Sequence, residues 1–190
     1  EYQKVPVTIC FNKCDLVTEE EKKKLEEIYK PAGYDIIFTS AKAGINLEEL
    51  KAVLKGKTTT VAGPSGVGKS SLINQLQDTI YMETGSISEK IERGKHTTRH
   101  SEIIPLGDDA YIMDTPGFSS MDVPGFEKED LWTCYPEFLP YEPYCKFQGC
   151  SHISEPSCGV KDALAEGKIS QIRYDNYILL YEEMKQIKKY

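Results

Sequence analysis

Thr58-Thr59-Thr60-Val61-Ala62-Gly63-Pro64-Ser65-Gly66-Val67-Gly68-Lys69-Ser70-Ser71 carries the clearest structural signal in the chain. Its first five residues are β-prone and read as a strand, and a helix from about Lys69 to Gln77 follows the glycines. Between them, Gly63 to Ser70 matches G-x-x-x-x-G-K-[ST] in the strand–loop–helix setting that this pattern requires. The glycines let the backbone wrap a phosphate with its N–H groups, and the helix N-terminus adds positive potential. Lys69 is placed to reach the β- and γ-phosphates and Ser70 to ligate magnesium, with Ser71 beside it. The segment reads as a nucleoside triphosphate site.

Upstream lie two shorter signals, each after a strand candidate. Val5–Phe11 is apolar and β-prone and reads as a buried strand; Asn12-Lys13-Cys14-Asp15 follows it. This is the N-K-x-D pattern of guanine-nucleotide proteins. An ionised Asp only accepts hydrogen bonds. Guanine offers two adjacent donors, its ring N–H and its exocyclic amine, where adenine has neither. A carboxylate facing the wrong base is left unpaired, which is how a polar site discriminates strongly. Tyr34–Thr39 is the second strand candidate, and Ser40-Ala41-Lys42 after it has the form of the S-A-K loop that supports the base. Between these motifs, Thr18 and Glu21 form a capping-box pattern ahead of a helix carrying Leu25, Ile28 and Tyr29, ended by Pro31 and Gly33. Asn46 and Glu49 repeat that pattern ahead of Leu47, Leu50, Val53 and Leu54, and Gly56 stops that helix.

Downstream, residues 78–100 lack periodicity and read as a long loop. Ser101–Leu106 and Ala110–Asp114 flank Gly107-Asp108-Asp109 and read as a hairpin. Asp114-Thr115-Pro116-Gly117 fits D-x-x-G: Asp114 for the magnesium shell, the Gly117 N–H for the γ-phosphate. Thr98, or else Thr97, is placed in the long loop as the switch threonine for magnesium. Many GTPases have a water-orienting Gln directly after D-x-x-G. Phe118 stands there and cannot orient water. His96 is the candidate for that task; an exposed loop histidine is the alternative. A missing Gln predicts slow turnover alone and acceleration by a partner. The alternation of strands and helices argues for an α/β class with a mostly parallel sheet.

After about residue 120 the pattern changes to short helices, prolines and cysteines. Cys145, Cys150, His152 and Cys158 fall within fourteen residues. Three thiolates and one imidazole make a closed, structural tetrahedral zinc site. Disulfides or free thiols are the rival readings, and nucleotide switching implies a reducing cytosol, where disulfides are rare. Cys10 in a strand and Cys14 in the base loop are not ligand candidates. A last amphipathic helix begins at Ser170, with Ile172, Tyr177, Ile178, Tyr181, Met184 and Ile187 as its apolar face.

Bulk composition sets the outer limits. The 190 residues are 39% hydrophobic and 28% charged, with 12 Tyr, 6 Phe and 1 Trp, which suits a globular protein and excludes general disorder. The net charge of −7 gives no support to nucleic-acid binding. Lys90, Arg93, Lys95 and Arg99 form a local basic cluster in an acidic segment, and on charge alone they read as a solvated loop. No apolar run approaches the ~18–20 residues of a membrane-spanning helix. No secretory signal is visible, and the start at Glu1 without a Met reads as a piece of a longer protein.

The motif order is unusual. N-K-x-D comes at 12–15, S-A-K at 40–42, the phosphate loop at 63–70 and D-x-x-G at 114–117, an intact cycle cut at a different point from ordinary GTPases. With Gly94-Lys95-His96-Thr97-Thr98-Arg99-His100 and the cysteine cluster, the chain closely resembles the circularly permuted ribosome-assembly GTPases of the RsgA/YjeQ/YloQ family. The resemblance covers nearly the whole chain. It implies a permuted GTPase domain over 1–120, incomplete at its N-terminus, and a small, mainly helical zinc-binding domain over 121–190. The family's N-terminal OB-fold is not in this chain, nor is one central sheet strand that should precede Val5. A sheet lacking it would have an unfilled slot. The resemblance further implies GTP hydrolysis in late maturation of the small ribosomal subunit, stimulation by that subunit, and contact with its rRNA. The expected cofactors are one structural zinc, magnesium and GTP/GDP, in a cytoplasmic monomer with no membrane association. It implies Gly63, Pro64, Ser65, Gly66, Val67 and Gly68 as nucleotide contacts with Lys69, Ser70 and Ser71. The family also carries a hydrophobic residue at the Phe118 position and a histidine at that of His96. Because the switch runs directly into the cysteine-rich part, nucleotide-driven ordering is expected to reorient that part. Two readings of other kinds stay open: a P-loop NTPase acting on a non-ribosomal partner, and an RNA-binding module merely stabilised by nucleotide.

Overall fold

A computed structural model describes residues 1–77, 102–114 and 127–186. In chain order the regular elements are β1 (Thr8–Phe11), α1 (Glu19–Tyr29), β2 (Asp35–Phe38), α2 (Leu47–Leu54), β3 (Thr58–Thr60), α3 (Lys69–Leu76), β4 (Glu102–Gly107), β5 (Ala110–Asp114), α4 (Gly159–Ala165) and α5 (Gln171–Gln186). 3-10 segments lie at Cys14–Leu16, Lys30–Ala32, Lys128–Cys134 and Glu142–Tyr144. They group into two compact units. One comprises Glu1–Ile9, Glu19–Ile36 and Val123–Tyr190; the other comprises Cys10–Thr18 and Ile37–Asp122.

The second unit is an α/β body. β5 pairs with β3 in parallel, Thr59 opposite Ile112, and with β4 antiparallel, Ile104 opposite Ile112. This sheet is therefore mixed: β3 and β5 run in parallel, and β4 and β5 form the expected hairpin. Its turn residues Asp108 and Asp109 both have positive φ, at 49° and 55°, the requirement of a type I′ turn. Ile112, Ile104, Ile73, Leu76, Leu50 and Ile37 form the core between sheet and helices. Among the described residues, β1 pairs with β2 alone and β3 with β5 alone, so the strands form two sheets rather than one.

Three sequence expectations shift. The first strand is shorter than Val5–Phe11: Val5 and Val7 are exposed and pairing starts at Thr8. Pro6 has no N–H to give to a ladder. Asn46 stands at the start of α2 without capping it. Its backbone is left-handed, at φ 55°, and its side-chain amide donates to the Phe38 carbonyl at 2.8 Å. That bond ties the end of β2 to α2 instead. The buried face of α5 is set by Tyr174 and Tyr177, with Ile178, Tyr181 and Met184 packed beside them, whereas Ile172 is exposed. Ile187 lies outside the described residues.

The first unit has its own core of Leu131, Phe138, Val160, Ala163, Ile169 and Tyr177. Within it, Arg173 of α5 pairs with Glu137 through Nε–Oε1 at 2.7 Å and Nη2–Oε2 at 3.2 Å. The guanidinium also stacks against Tyr135, Tyr34 and Tyr29, with centroids 4.8, 5.7 and 5.9 Å away. The Glu137 side chain is 3% exposed and that of Arg173 16%. A bidentate pair fits such a buried position because it satisfies both charged groups with directed bonds. No helix among the described residues is long and apolar enough to cross a membrane.

Candidate functional site

Three loops of the α/β unit meet at one cavity of about 240 Å³, lined by Asn12, Lys13, Asp15, Ser40, Gly68 and Ser71, among others. Asn12 ties the loops together. Its amide nitrogen donates to the Val67 carbonyl at 2.9 Å, and its oxygen accepts from the Ala41 N–H at 3.1 Å. Lys13, at φ 66°, turns its amine to the Gly66 carbonyl at 2.7 Å. The base motif thus grips the phosphate loop at two successive carbonyls. Beneath it, the Cys14 N–H donates to the Thr39 carbonyl and the Thr39 N–H to the Phe11 carbonyl, both at 2.9 Å. This continues strand pairing into the two motif loops. Gly68 has φ 93°, and a Cβ there would press into the Asn12 amide. The site needs glycine at that position for both reasons.

Asp15 lines the cavity and is open to solvent. A hydrogen bond from Ser40 holds its carboxyl below the ordinary Asp value, with Lys42 adding a smaller attraction. Ser40 is itself fixed: it is fully buried, exchanges backbone bonds with Ile45, and its oxygen accepts from the Ala43 N–H at 3.1 Å. The cavity therefore presents a fixed, ionised acceptor. Leu16, 74% exposed on the rim, and the buried Thr39 are part of this arrangement and carry no motif signal. Lys69 opens α3 and donates to the Gly63 and Pro64 carbonyls at 2.6 and 2.9 Å. Ser70 and Ser71 follow in the first turn of that helix, and Asp114 ends β5. His96, Thr97, Thr98, Gly117 and Phe118 lie outside the described residues.

The second site is in the other unit. The ligand atoms of Cys145, Cys150, His152 and Cys158 all lie within 4.8 Å of one another. Cys145 Sγ is 3.7 Å from Cys158 Sγ, and His152 Nδ1 is 3.5 and 3.4 Å from these two sulfurs. A tetrahedron with Zn–S near ~2.3 Å and Zn–N near ~2.0 Å has S···S edges of about 3.8 Å and S···N edges of about 3.5 Å. These three edges fit such a tetrahedron, and the Cys145 and Cys158 sulfurs lie too far apart to be bonded, since a disulfide would hold them about 2.05 Å apart. All six cysteines are free. Burial pushes the Cys150 thiol up to about 12 and keeps His152 neutral. A cation in the cluster would reverse the penalty on the thiolates. The His152 ring is wholly buried against Trp132 and Phe138, which meet it edge-on.

Around this cluster lies a frame without a motif. Burial opposes ionisation of Glu155, but hydrogen bonds from Ser151 and Ile153 outweigh it and hold its carboxyl at about 2. Tyr174 and Tyr177 of α5 reach the same loop from the other side.

A glycine-rich loop, a base-motif loop and an S-A-K loop locked around one cavity, on an α/β body whose motifs run in permuted order, define a circularly permuted P-loop GTPase fold. Comparisons with known proteins agree. The RsgA GTPase family model matches residues 1–124, and the chain belongs to that family. It is 75% identical over 190 residues to the small ribosomal subunit biogenesis GTPase RsgA of Agathobacter rectalis, covering 100% of this chain and 63% of that protein. It is 50% identical over 184 residues to the protein of that name from Clostridium perfringens, covering 97% of this chain and 64% of that protein. The chain thus spans somewhat under two thirds of the length of these relatives. Among solved structures it superposes on YjeQ from Thermotoga maritima with a TM-score of 0.77 at 35% identity, over 98% of this chain and 63% of that one. YloQ, described as a circularly permuted GTPase, gives a TM-score of 0.73 at 34% identity, over 96% of this chain and 58% of its own.

Proposed function

We propose that the protein hydrolyses GTP in late maturation of the small ribosomal subunit, binding the subunit in its GTP form and leaving it on hydrolysis. The observation that carries the nucleotide half is the interlock of Asn12 and Lys13 with the phosphate loop around the cavity that Asp15 lines. It supports a reading in which a carboxylate acceptor for the two guanine donors sits beside a phosphate-binding loop. In this reading Asp15 selects guanine, the Ser40-Ala41-Lys42 loop supports the base, and the backbone from Gly63 to Gly68 cradles the phosphates. Lys69 neutralises them. Ser70, Thr98 and Asp114 would hold magnesium, which would supply charge neutralisation to the phosphates. Gly117 senses the γ-phosphate, and His96 orients the attacking water in place of the Gln that Phe118 replaces.

The ribosomal half is supported by the names of the two relatives. Contact with rRNA, action as a cytoplasmic monomer, and a domain boundary near residue 121 belong to the same proposal. We assign the Cys145, Cys150, His152 and Cys158 cluster to one structural zinc, with every coordination position filled by protein and none open for catalysis. The zinc would cross-link the loop that carries Cys145 and Cys150 to the start of α4.

Equilibrium competition with a fluorescent guanine nucleotide on the complete gene product tests the nucleotide half. GTP and GDP should compete, and ATP should be weaker by about a hundredfold or more. Equal competition by ATP would overturn the guanine assignment.

A further inference from the structure

We propose that Glu155, Tyr174 and Tyr177 are positioning residues for the metal: together they hold residues 151–153 in the one backbone conformation that delivers His152 Nδ1 to the thiolates. His152 sits at φ 61°, a left-handed conformation that a residue with a Cβ adopts at a cost. Such a conformation persists where surrounding contacts over-determine it. Here they do, from three directions. The Tyr174 hydroxyl donates to the His152 carbonyl itself at 2.5 Å, and the Tyr177 hydroxyl donates to the preceding Ser151 carbonyl at 2.7 Å. On the other side of the chain, the Glu155 carboxylate accepts from the Ser151 N–H at 2.9 Å, the Ser151 hydroxyl at 2.8 Å and the Ile153 N–H at 3.2 Å. The Ser151 and Ile153 N–H groups and the Ser151 and His152 carbonyls therefore all have partners outside the four ligands, while the His152 N–H faces the Cys150 sulfur.

The frame is itself anchored. Lys161 of α4 donates to the Glu155 and Ile153 carbonyls at 2.6 and 3.3 Å, and Tyr174 and Tyr177 lie in the core on α5. Residues outside the ligand set thus hold the loop, and a site held in this way would release a bound metal slowly. Groups that orient ligands in this way commonly govern metal affinity by about 10- to 100-fold.

This inference rests on reading the cluster as a metal site, and one experiment separates the two. The complete gene product and its Glu155→Gln, Tyr174→Phe and Tyr177→Phe variants are loaded with zinc, and release to a chromogenic chelator is timed. The same proteins are loaded with cobalt and their visible absorption recorded. Each variant should release zinc about 10- to 100-fold faster than the parent, with a changed cobalt spectrum. The tyrosine variants lose one hydroxyl each and keep their rings in the core, so the comparison stands even if Glu155→Gln does not fold. Release within twofold of the parent, with an unchanged cobalt spectrum, would overturn the positioning role and leave the metal site standing. A parent protein that takes up neither zinc nor cobalt would remove the metal site itself.

Discussion

Gly68→Ala is the sharpest perturbation of the nucleotide site, because a single methyl group acts on all three loops. The backbone at Gly68 has φ 93° and ψ 26°, so an Ala there carries a strain of about 1–2 kcal/mol. The new Cβ would lie well inside contact with the Asn12 amide nitrogen, which must retreat by about an ångström. That retreat breaks the bonds from Asn12 to Val67 and from Ala41 to Asn12, each contributing about 1 kcal/mol. The sum, about 3–4 kcal/mol, bounds the loss of guanine-nucleotide affinity at a few hundredfold. Part of the strain is carried equally by free and bound protein, so a loss of at least about 30-fold is expected in titration with a fluorescent GDP analogue. Asn12→Ala in the same background removes the overlapping group. The double variant should therefore lose less than the sum of the two singles, the mark of direct contact. A Gly68→Ala protein that binds GDP within threefold of the parent, or strictly additive losses, would show that Gly68 and Asn12 do not lock the site through direct contact.

Asp15→Asn should reverse the base preference: an amide donor then meets the exocyclic amine of guanine, whereas xanthine offers a carbonyl there, so XDP should outcompete GDP in the same titration. Arg173→Ala leaves Glu137 buried and unpaired, and urea unfolding should show a loss of about 3 kcal/mol or more. Glu155 is held at about 2 in the folded protein against an ordinary 4.5. A depressed folded value means that its stabilising contribution is complete above about pH 4.5 and disappears as pH falls toward 2. The stability difference between the parent and Glu155→Gln should follow that course in urea unfolding from pH 6 to 3, and a difference independent of pH would contradict it. Chelation of the metal should raise the alkylation rates of Cys145, Cys150 and Cys158, read by mass spectrometry, and leave that of Cys14, which is buried and outside the cluster, unchanged.

Legibility followed the range of the interactions. The phosphate loop, the base motif and the S-A-K loop could be read because each performs its chemistry within a few consecutive residues of fixed type. The hairpin could be read because Gly107-Asp108-Asp109 supplies its own turn chemistry. The metal cluster could be read from four ligand residues within fourteen positions. What escaped were pairings made across the chain. Glu137 and Arg173 are 36 residues apart, and neither carries a local signal of its burial. Glu155 looks like an ordinary surface acid between His152 and Cys158, and only the loop geometry turns it into an acceptor of three bonds. On α5 the expected face of Tyr177, Ile178, Tyr181 and Met184 is the buried one, but hydropathy favours Ile172 over Tyr174, whereas Ile172 is exposed and the Tyr174 hydroxyl reaches the His152 carbonyl of the metal loop. Asn46 matched a helix cap by residue type, and a left-handed backbone redirected its amide to β2.

With Phe118 where other GTPases carry a water-orienting Gln, the proposed hydrolysis is slow in the isolated protein and accelerated by the small ribosomal subunit. GTP turnover by the complete gene product, with and without purified small subunits, decides this. Slow turnover alone and stimulation by small subunits that large subunits do not reproduce are expected. Turnover unchanged by small subunits would leave the guanine chemistry in place and remove the ribosome from the mechanism.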